Sequence, residues 1–168
     1  MKCLQTVASV VLLALCLHMA SAEIVNTQKC PDEVADKCTI HHVSIRPCPE
    51  AAEGSPCTFN RSSNITITFD YTPEFYANNL TSDALLVYRN FKHSLPFFET
   101  DKKACQSTSC PLIAGLREVY VYEFINNITL HERMSQLEFK MMWKLTSENK
   151  DQCCFMVPIV FSSNPTNT

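Results

Sequence analysis

The sequence predicts an all-β protein, built as an antiparallel β-sandwich of two sheets. Several segments alternate apolar and polar residues with the period of two that half-buried strands require. No stretch shows the period of a long amphipathic helix, and turn-forming residues separate the alternating segments at fairly regular spacing, which is typical of sandwiches. The predicted strands are residues 39–46, 64–71, 83–89, 118–125, 136–145 and 153–161.

Each predicted strand depends on its own local pattern. The first strand alternates up to Pro47, which ends it because proline cannot donate a ladder hydrogen bond. The second strand, 64–71, has the clearest alternation, with isoleucine and aromatic residues on one face and polar residues on the other. In the fifth strand, apolar residues including Trp143 lie on one face, and Glu138 and Lys140 lie on the other. In the last, Pro158 predicts an edge strand or a bulge.

The first 22 residues have the pattern of a secretory signal peptide. Lys2 supplies the positive end, residues 7–17 are almost wholly apolar, and Ala20-Ser21-Ala22 is a small-residue cleavage site. The apolar run is too short to span a bilayer. We therefore expect a signal peptide at 1–22 and a single domain at 23–168, secreted or delivered to the endolysosomal lumen.

The cysteines predict a disulfide framework. Of ten cysteines, Cys3 and Cys16 belong to the signal peptide, and the remaining eight form an even number in an exported chain. Zinc is disfavoured because there is no C-x-x-C motif, and Cys48 and Cys57 are too far apart for a zinc knuckle. We expect no metal and no cofactor.

Composition and motifs argue against catalysis and against nucleic acid. Lys and Arg number 14 against 17 Asp and Glu, a net charge of −3 without a basic cluster. With only two glycines, Gly54 and Gly115, a phosphate-cradling loop is excluded. His41 and His42 are neighbours on a predicted strand and point to opposite faces, so they do not form a metal pair. We expect a protein that is not an enzyme.

N-glycosylation sequons predict a glycoprotein. Asn64 falls on the polar face of its predicted strand, so a glycan there would point away from the core. A proline at position 165 disqualifies the sequence at Asn164. The sequons are at Asn60, Asn64, Asn79 and Asn127.

The inward faces of the predicted strands are uncharged and rich in aromatic residues. In a closed sandwich they would fill a core about 10 Å thick. If the sheets splay, the same side chains would line an apolar cavity suited to a ligand. Periodicity leaves both possibilities open. These residues are Ile67, Phe69, Tyr71, Tyr120, Tyr122, Phe124, Met141, Trp143, Phe155, Val157 and Ile159.

Short motifs follow one another in a fixed order between residues 29 and 161. They are Lys29-Cys30, VSIRPCP at 43–49, Cys57, Leu95-Pro96-Phe97, Cys105, Cys110-Pro111, Trp143 with Leu145, and CFMVP at 154–158. Together they resemble the ML (lipid-recognition) domain family, and most closely its Niemann-Pick type C-2 cholesterol-carrier branch. Four sequons and the sparse prolines before Phe97 favour an invertebrate member.

This resemblance implies an immunoglobulin-like β-sandwich that holds a lipid in an apolar cavity between its sheets. It implies the bridges Cys30–Cys154, Cys48–Cys57 and Cys105–Cys110, and leaves Cys38–Cys153 as an additional fourth pair. By motif, the pocket positions are Leu95 and Phe97, then Leu130 and Met134. The expected walls are Phe69, Tyr122, Met141, Trp143 and Val157.

The resemblance also implies two functions. The first is transport of a sterol, fatty acid or other lipid by a monomer that hands it to a membrane-protein acceptor or receptor. The alternative is innate-immunity or chemosensory recognition of lipopolysaccharide, a fatty acid or a semiochemical. Basic residues at the pocket rim would favour an anionic lipid in that case. The available residues are Lys92, His93, Lys102, Lys103 and Arg133.

Overall fold

Two β-sheets pack face to face and enclose the hydrophobic core. The computed structural model of the protein describes residues 23–31, 35–88, 94–97, 103–128 and 137–162. Short 3₁₀ turns lie at Pro49–Glu53 and Ala104–Gln106. The strands in the described ranges are β1 Cys38–Arg46, β2 Cys57–Asn60, β3 Asn64–Pro73, β4 Leu80–Val87, β5 Leu95–Pro96, β6 Glu118–Ile125, β7 Glu138–Ser147 and β8 Gln152–Ser162.

The two sheets differ in size. One has three strands in the order β1-β3-β6, and the other has five in the order β2-β8-β7-β4-β5. The pairs are antiparallel except that β2 lies parallel to β8, with Cys57 opposite Ile159 and Asn60 opposite Ser162. The predicted two-sheet, all-β sandwich is confirmed, with this one parallel pair added.

Alternation along the strands builds the core. In β3, Ile65, Ile67, Phe69 and Tyr71 are buried, and the threonines between them are less so. The facing side chains come from alternate positions of β7 and β8, because successive residues of a strand point to opposite faces. Among the described residues the buried polar side chains are Ser82, Asn126 and Ser147, so this core has no buried charge.

A second, smaller apolar cluster lies on the outer face of the five-stranded sheet. Met142, Cys154 and Met156 are buried there, although alternation places Met142 on the polar face of its strand. They pack against Cys30 of the N-terminal arm, residues 23–31, and against Leu85 and Val87 of β4. The arm is fixed by two backbone hydrogen bonds between Gln28 and Met156, at 2.8 and 2.9 Å.

Four disulfides form: the three pairs that the resemblance implies, and Cys38–Cys153 as the fourth. Two of them tie the N-terminal arm and the start of β1 to neighbouring residues of β8. The other two close short segments, and one of these holds the turn before β6. The bridges are Cys30–Cys154, Cys38–Cys153, Cys48–Cys57 and Cys105–Cys110.

The prediction that Pro158 marks an edge strand or a bulge is wrong, because β8 has neighbours on both sides. The nitrogen of Pro158 faces the same sheet edge as that of Met156, since alternate residues share an edge. On that edge Met156 bonds to Gln28, and pairing with β2 begins only at Ile159. Proline therefore occupies the gap between two partners, where no donor is needed.

Candidate functional site

The interior between the sheets contains an aromatic group that we call the Trp143 cluster: Phe69, Tyr120, Tyr122 and Trp143. Ring centroids of Trp143 lie 5.8 Å from Tyr120, 5.6 Å from Tyr122 and 6.4 Å from Phe69. Trp143 comes from the five-stranded sheet, and the other three rings come from β3 and β6. Three of the expected wall residues therefore meet in one place.

A second group, the Phe97 cluster, consists of Phe59, Phe97, Phe124 and Phe161. The Phe97 ring is 3% exposed and lies 6.0 Å from Phe59, 5.7 Å from Phe124 and 5.7 Å from Phe161. Each of these partners is the penultimate residue of its strand, in β2, β6 and β8. The Phe97 cluster therefore fills the end of the sandwich where these three strands finish.

Met141 and Val157 lie between the two clusters. They are cross-strand partners in β7 and β8, and both are fully buried. A ring contact between Tyr122 and Phe124, at 6.3 Å, also joins the clusters. The expected wall residues thus form one continuous apolar interior that ends at Phe97.

Leu95 is placed differently from Phe97. It pairs with Leu86 at the edge of the five-stranded sheet and is 64% exposed, so it lies outside the buried interior. Leu130 and Met134, the other expected pocket positions, lie outside the described residues, as does the signal peptide at 1–22. The same holds for Lys92, His93, Lys102 and Arg133; Lys103 is described and exposed.

The side of the sandwich along β6 is less closed than its centre. Tyr120 is fully buried, whereas Tyr122 and Phe124, the next inward residues of the strand, are only half-buried. β6 is the edge strand of the three-stranded sheet. The aromatic interior therefore comes nearest to solvent along this edge, beside Phe97.

The opposite end is closed by the disulfide-bonded turn before β6. The Tyr71 hydroxyl shares a 3.1 Å hydrogen bond with the hydroxyl of Thr108, which lies between Cys105 and Cys110. Burial raises the pKa of Tyr71 to about 12. The hydroxyl therefore stays neutral at physiological pH, and the interior receives no charge from this side.

A surface cleft of about 470 Å³ lies outside this interior, beside the bridges of the N-terminal arm. It is partly polar, and one wall is Asp36, whose carboxylate accepts a hydrogen bond from the Cys154 amide at 3.2 Å. Burial raises the pKa of Asp36. The cleft is lined by Thr27, Gln28, Lys29, Asp36, Cys38, Thr39, Ile40, Cys154 and Phe155.

The Phe97 cluster was only partly visible in the sequence. Phe97 stood out through its motif, and Phe124 and Phe161 belong to predicted strands. Phe59 was missed because residues 57–60 were not predicted to form a strand. The available signal was the alternation of Cys57 and Phe59, both fully buried, with two less buried polar residues.

Within the described ranges, no group of three or more His, Cys, Asp or Glu side chains is arranged to hold a metal ion. No helix of that part of the chain is long and apolar enough to cross a membrane. The described residues form an apolar and aromatic interior between the two sheets.

The ML domain family model matches residues 24–161. The chain belongs to the ML domain family. The match starts just after the predicted signal peptide and ends one residue before the end of β8. It therefore takes in both sheets, the two aromatic clusters and the four disulfides.

Two proteins of Manduca sexta and one solved structure are similar to this ML domain chain. The MD-2-related lipid-recognition protein is 29% identical over 77% of this chain and 80% of its own. The ecdysteroid-regulated 16 kDa protein is 22% identical over 71% and 79%. A Niemann-Pick type C2 protein from the Japanese carpenter ant superposes with a TM-score of 0.65 at 18% identity, over 82% and 99%. That structural match supports the fold.

Proposed function

We propose that this ML domain protein binds a sterol, fatty acid or other lipid between its two sheets and carries it. The observation behind the proposal is the continuous aromatic interior from Trp143 to Phe97, without a buried charge among the described residues. Such an interior matches the apolar body of a lipid, and burying apolar ligand surface contributes roughly 25 cal/mol per Å². Membership of the ML domain family supports the same proposal.

The walls of the proposed site are Phe69, Tyr122, Met141, Trp143 and Val157, and its mouth is beside Phe97. Phe97 is packed against three other rings, so a ligand that enters there must first displace it. We infer that Phe97 is a gate. Leu95, exposed on the neighbouring strand, lies at the outer rim, where it can contact a lipid or membrane during transfer. Leu130 and Met134 are proposed as further pocket positions, on the motif resemblance.

The proposal has no catalytic step. Binding and release of a lipid require only burial, gating and a second site that accepts the ligand. We infer that the protein is a monomer, exported by its signal peptide, and acts outside the cell or in the endolysosomal lumen. A membrane-protein acceptor or receptor would complete the transfer.

Native mass spectrometry of the protein purified from its source tests the proposal. We expect a population with the mass of one additional lipid, which solvent extraction would identify as a sterol, fatty acid or other amphiphile. Recombinant protein should then bind fluorescent sterol or fatty-acid probes with a stoichiometry of one. A protein that purifies without lipid and binds neither probe would contradict the proposal.

Lipid recognition for innate immunity or chemosensation is the second candidate. It is favoured by the similarity to a protein named as a lipid-recognition protein, and by the exposed lysine, Lys103, just before the disulfide-bonded turn. In this case the ligand would be lipopolysaccharide, a fatty acid or a semiochemical, and a receptor would bind the loaded protein. Competition between lipopolysaccharide and the sterol probe tests this candidate, because only recognition of lipopolysaccharide predicts that it displaces the sterol.

A further inference from the structure

The outer face of the three-stranded sheet carries three exposed apolar side chains along its edge strand, β6, with the exposed Glu123 between the second and the third. Val119, Val121 and Ile125 are 48%, 44% and 57% exposed. The amide of Val121 donates to the carbonyl of Ser107 at 2.9 Å, which attaches the disulfide-bonded turn to this edge. An edge strand with exposed β-branched residues is a template for pairing with another chain, so proteins cover or interrupt such edges.

Asn64 lies directly beside the most exposed of these residues. It pairs with Ile125 in the antiparallel register of β3 and β6. Residues directly opposite in such a pair share a face, with Cβ atoms about 4.5–5.5 Å apart. Ile65 is buried, so Asn64 points outward, and it is exposed. Thr66, two residues on, completes its sequon.

The neighbouring sequon at Asn60 is in a different environment. Asn60 is half-buried at the end of β2, paired with Ser162. Its carbonyl accepts hydrogen bonds from the Ser63 hydroxyl at 2.6 Å and the Asn126 side chain at 3.0 Å. Of the two, Asn64 is therefore the position whose side chain is open to solvent.

We propose that an N-linked glycan on Asn64 covers Ile125, and so keeps the protein monomeric. A glycan is bulky and hydrophilic. Attached next to Ile125, it occupies the space that a second chain would need in order to pack on this face. The exposed sequon at Asn127, two residues beyond Ile125, brings a second carbohydrate to the same end of the strand. This role is independent of the lipid.

Two sequons at opposite ends of the molecule provide a matched comparison. Asn79 is exposed just before β4, on the turn that hydrogen-bonds to Glu148. The protein is expressed in eukaryotic secretory cells. Enzymatic release of the glycans converts each occupied Asn to Asp, and this change identifies the occupied positions. Asn64→Gln and Asn79→Gln are then compared with the parent by analytical ultracentrifugation and by binding of an apolar fluorescent dye. We expect Asn64 to be occupied, and only Asn64→Gln to shift from monomer toward dimer and to bind more dye.

A second substitution checks the surface itself. In the Asn64→Gln background, Ile125→Thr removes apolar area but keeps a β-branched residue, and should restore the monomer. If Asn64→Gln is not secreted, enzymatic trimming of the folded parent's glycans to a single sugar, with and without Ile125→Thr, replaces it and introduces no new charge at position 64. An unmodified Asn64, or a protein without the full Asn64 glycan that stays as monomeric as the parent, would overturn the proposal.

Discussion

Replacing Phe97 by alanine tests the proposed gate. The ring is 3% exposed, so its removal leaves a cavity where three other rings met. A buried Phe→Ala substitution costs about 3–5 kcal/mol of unfolding free energy. The disulfides should keep the protein folded, and chemical denaturation monitored through Trp143 fluorescence measures the loss.

The same substitution should accelerate lipid release. To open the gate, the Phe97 ring must leave three aromatic neighbours, and each such contact contributes about 0.5–1.5 kcal/mol beyond burial. Since about 1.4 kcal/mol corresponds to tenfold, the dissociation rate should rise by at least about tenfold. Affinity should fall by roughly fivefold, because a bound lipid loses about 1 kcal/mol of contact with the ring. Stopped-flow displacement of a fluorescent sterol or fatty acid measures both quantities.

Phe75→Ala is the matched control. Phe75 is also buried, 7% exposed, but it follows the end of β3 that lies away from the Phe97 cluster. It should reduce stability in a similar way and leave lipid release unchanged. The gate would be refuted if Phe97→Ala released lipid as slowly as the parent, or if Phe75→Ala released it equally fast.

Three further predictions concern stability. Asn126→Ala should cost about 1–3 kcal/mol, because the buried amide donates to the carbonyls of Phe59 and Asn60, and both hydrogen bonds would be lost. Glu148→Gln should destabilise the protein at pH 7 but not under acid conditions. Its pKa is lowered by hydrogen bonds from backbone amides, so its contribution is present above pH 4.5 and is lost as the pH falls through the lowered pKa. Replacing Cys38 and Cys153 by serine should cost about 2–3 kcal/mol, since the neighbouring bridge already closes the long loop.

Denaturant titration measures all three variants. For Asn126, the control is Asn149→Ala on an exposed turn, and equal stability of the two variants would contradict the prediction. For Glu148, the two proteins are titrated from pH 7 down into the acid range, and a loss that does not diminish as the pH falls below 4.5 would contradict the prediction. For the serine variant, the loop between Cys38 and Cys153 would by itself predict a loss of about 4–5 kcal/mol of unfolding free energy. A measured loss that large would show that the two bridges do not constrain the same loop.

The local alternation of residues was enough to predict most of the strands. β6 has the predicted bounds, and β3 and β7 begin or end within two residues of theirs. Burial of one sheet face imposes the period of two on each strand separately, so the pattern can be recognised without knowing the partner strand. For the same reason, the sequence alone established an uncharged and aromatic interior.

Two strands were not predicted in this way. β2 has only four residues, and pairs with β8 from the far end of the chain. β5 has two residues and exists only as a partner of β4. The segment before Asp83 was predicted as loop, yet β4 begins at Leu80 because Leu80 pairs with Ser147. For β2 and for the start of β4, the partner residues are remote in sequence. For β5 the partner is the preceding strand, but two residues are too few to show an alternation.

The sequence by itself determined which residue types would face each other between the sheets, and its motifs indicated Leu95 and Phe97 as pocket positions. Only the tertiary structure separated these two residues. They are two positions apart, so alternation treats them alike, yet one is 64% exposed and the other 3%. The three-stranded sheet is smaller than the five-stranded sheet that it faces, so it leaves the edge at Leu95 uncovered. Rings from β2, β6 and β8 instead surround Phe97.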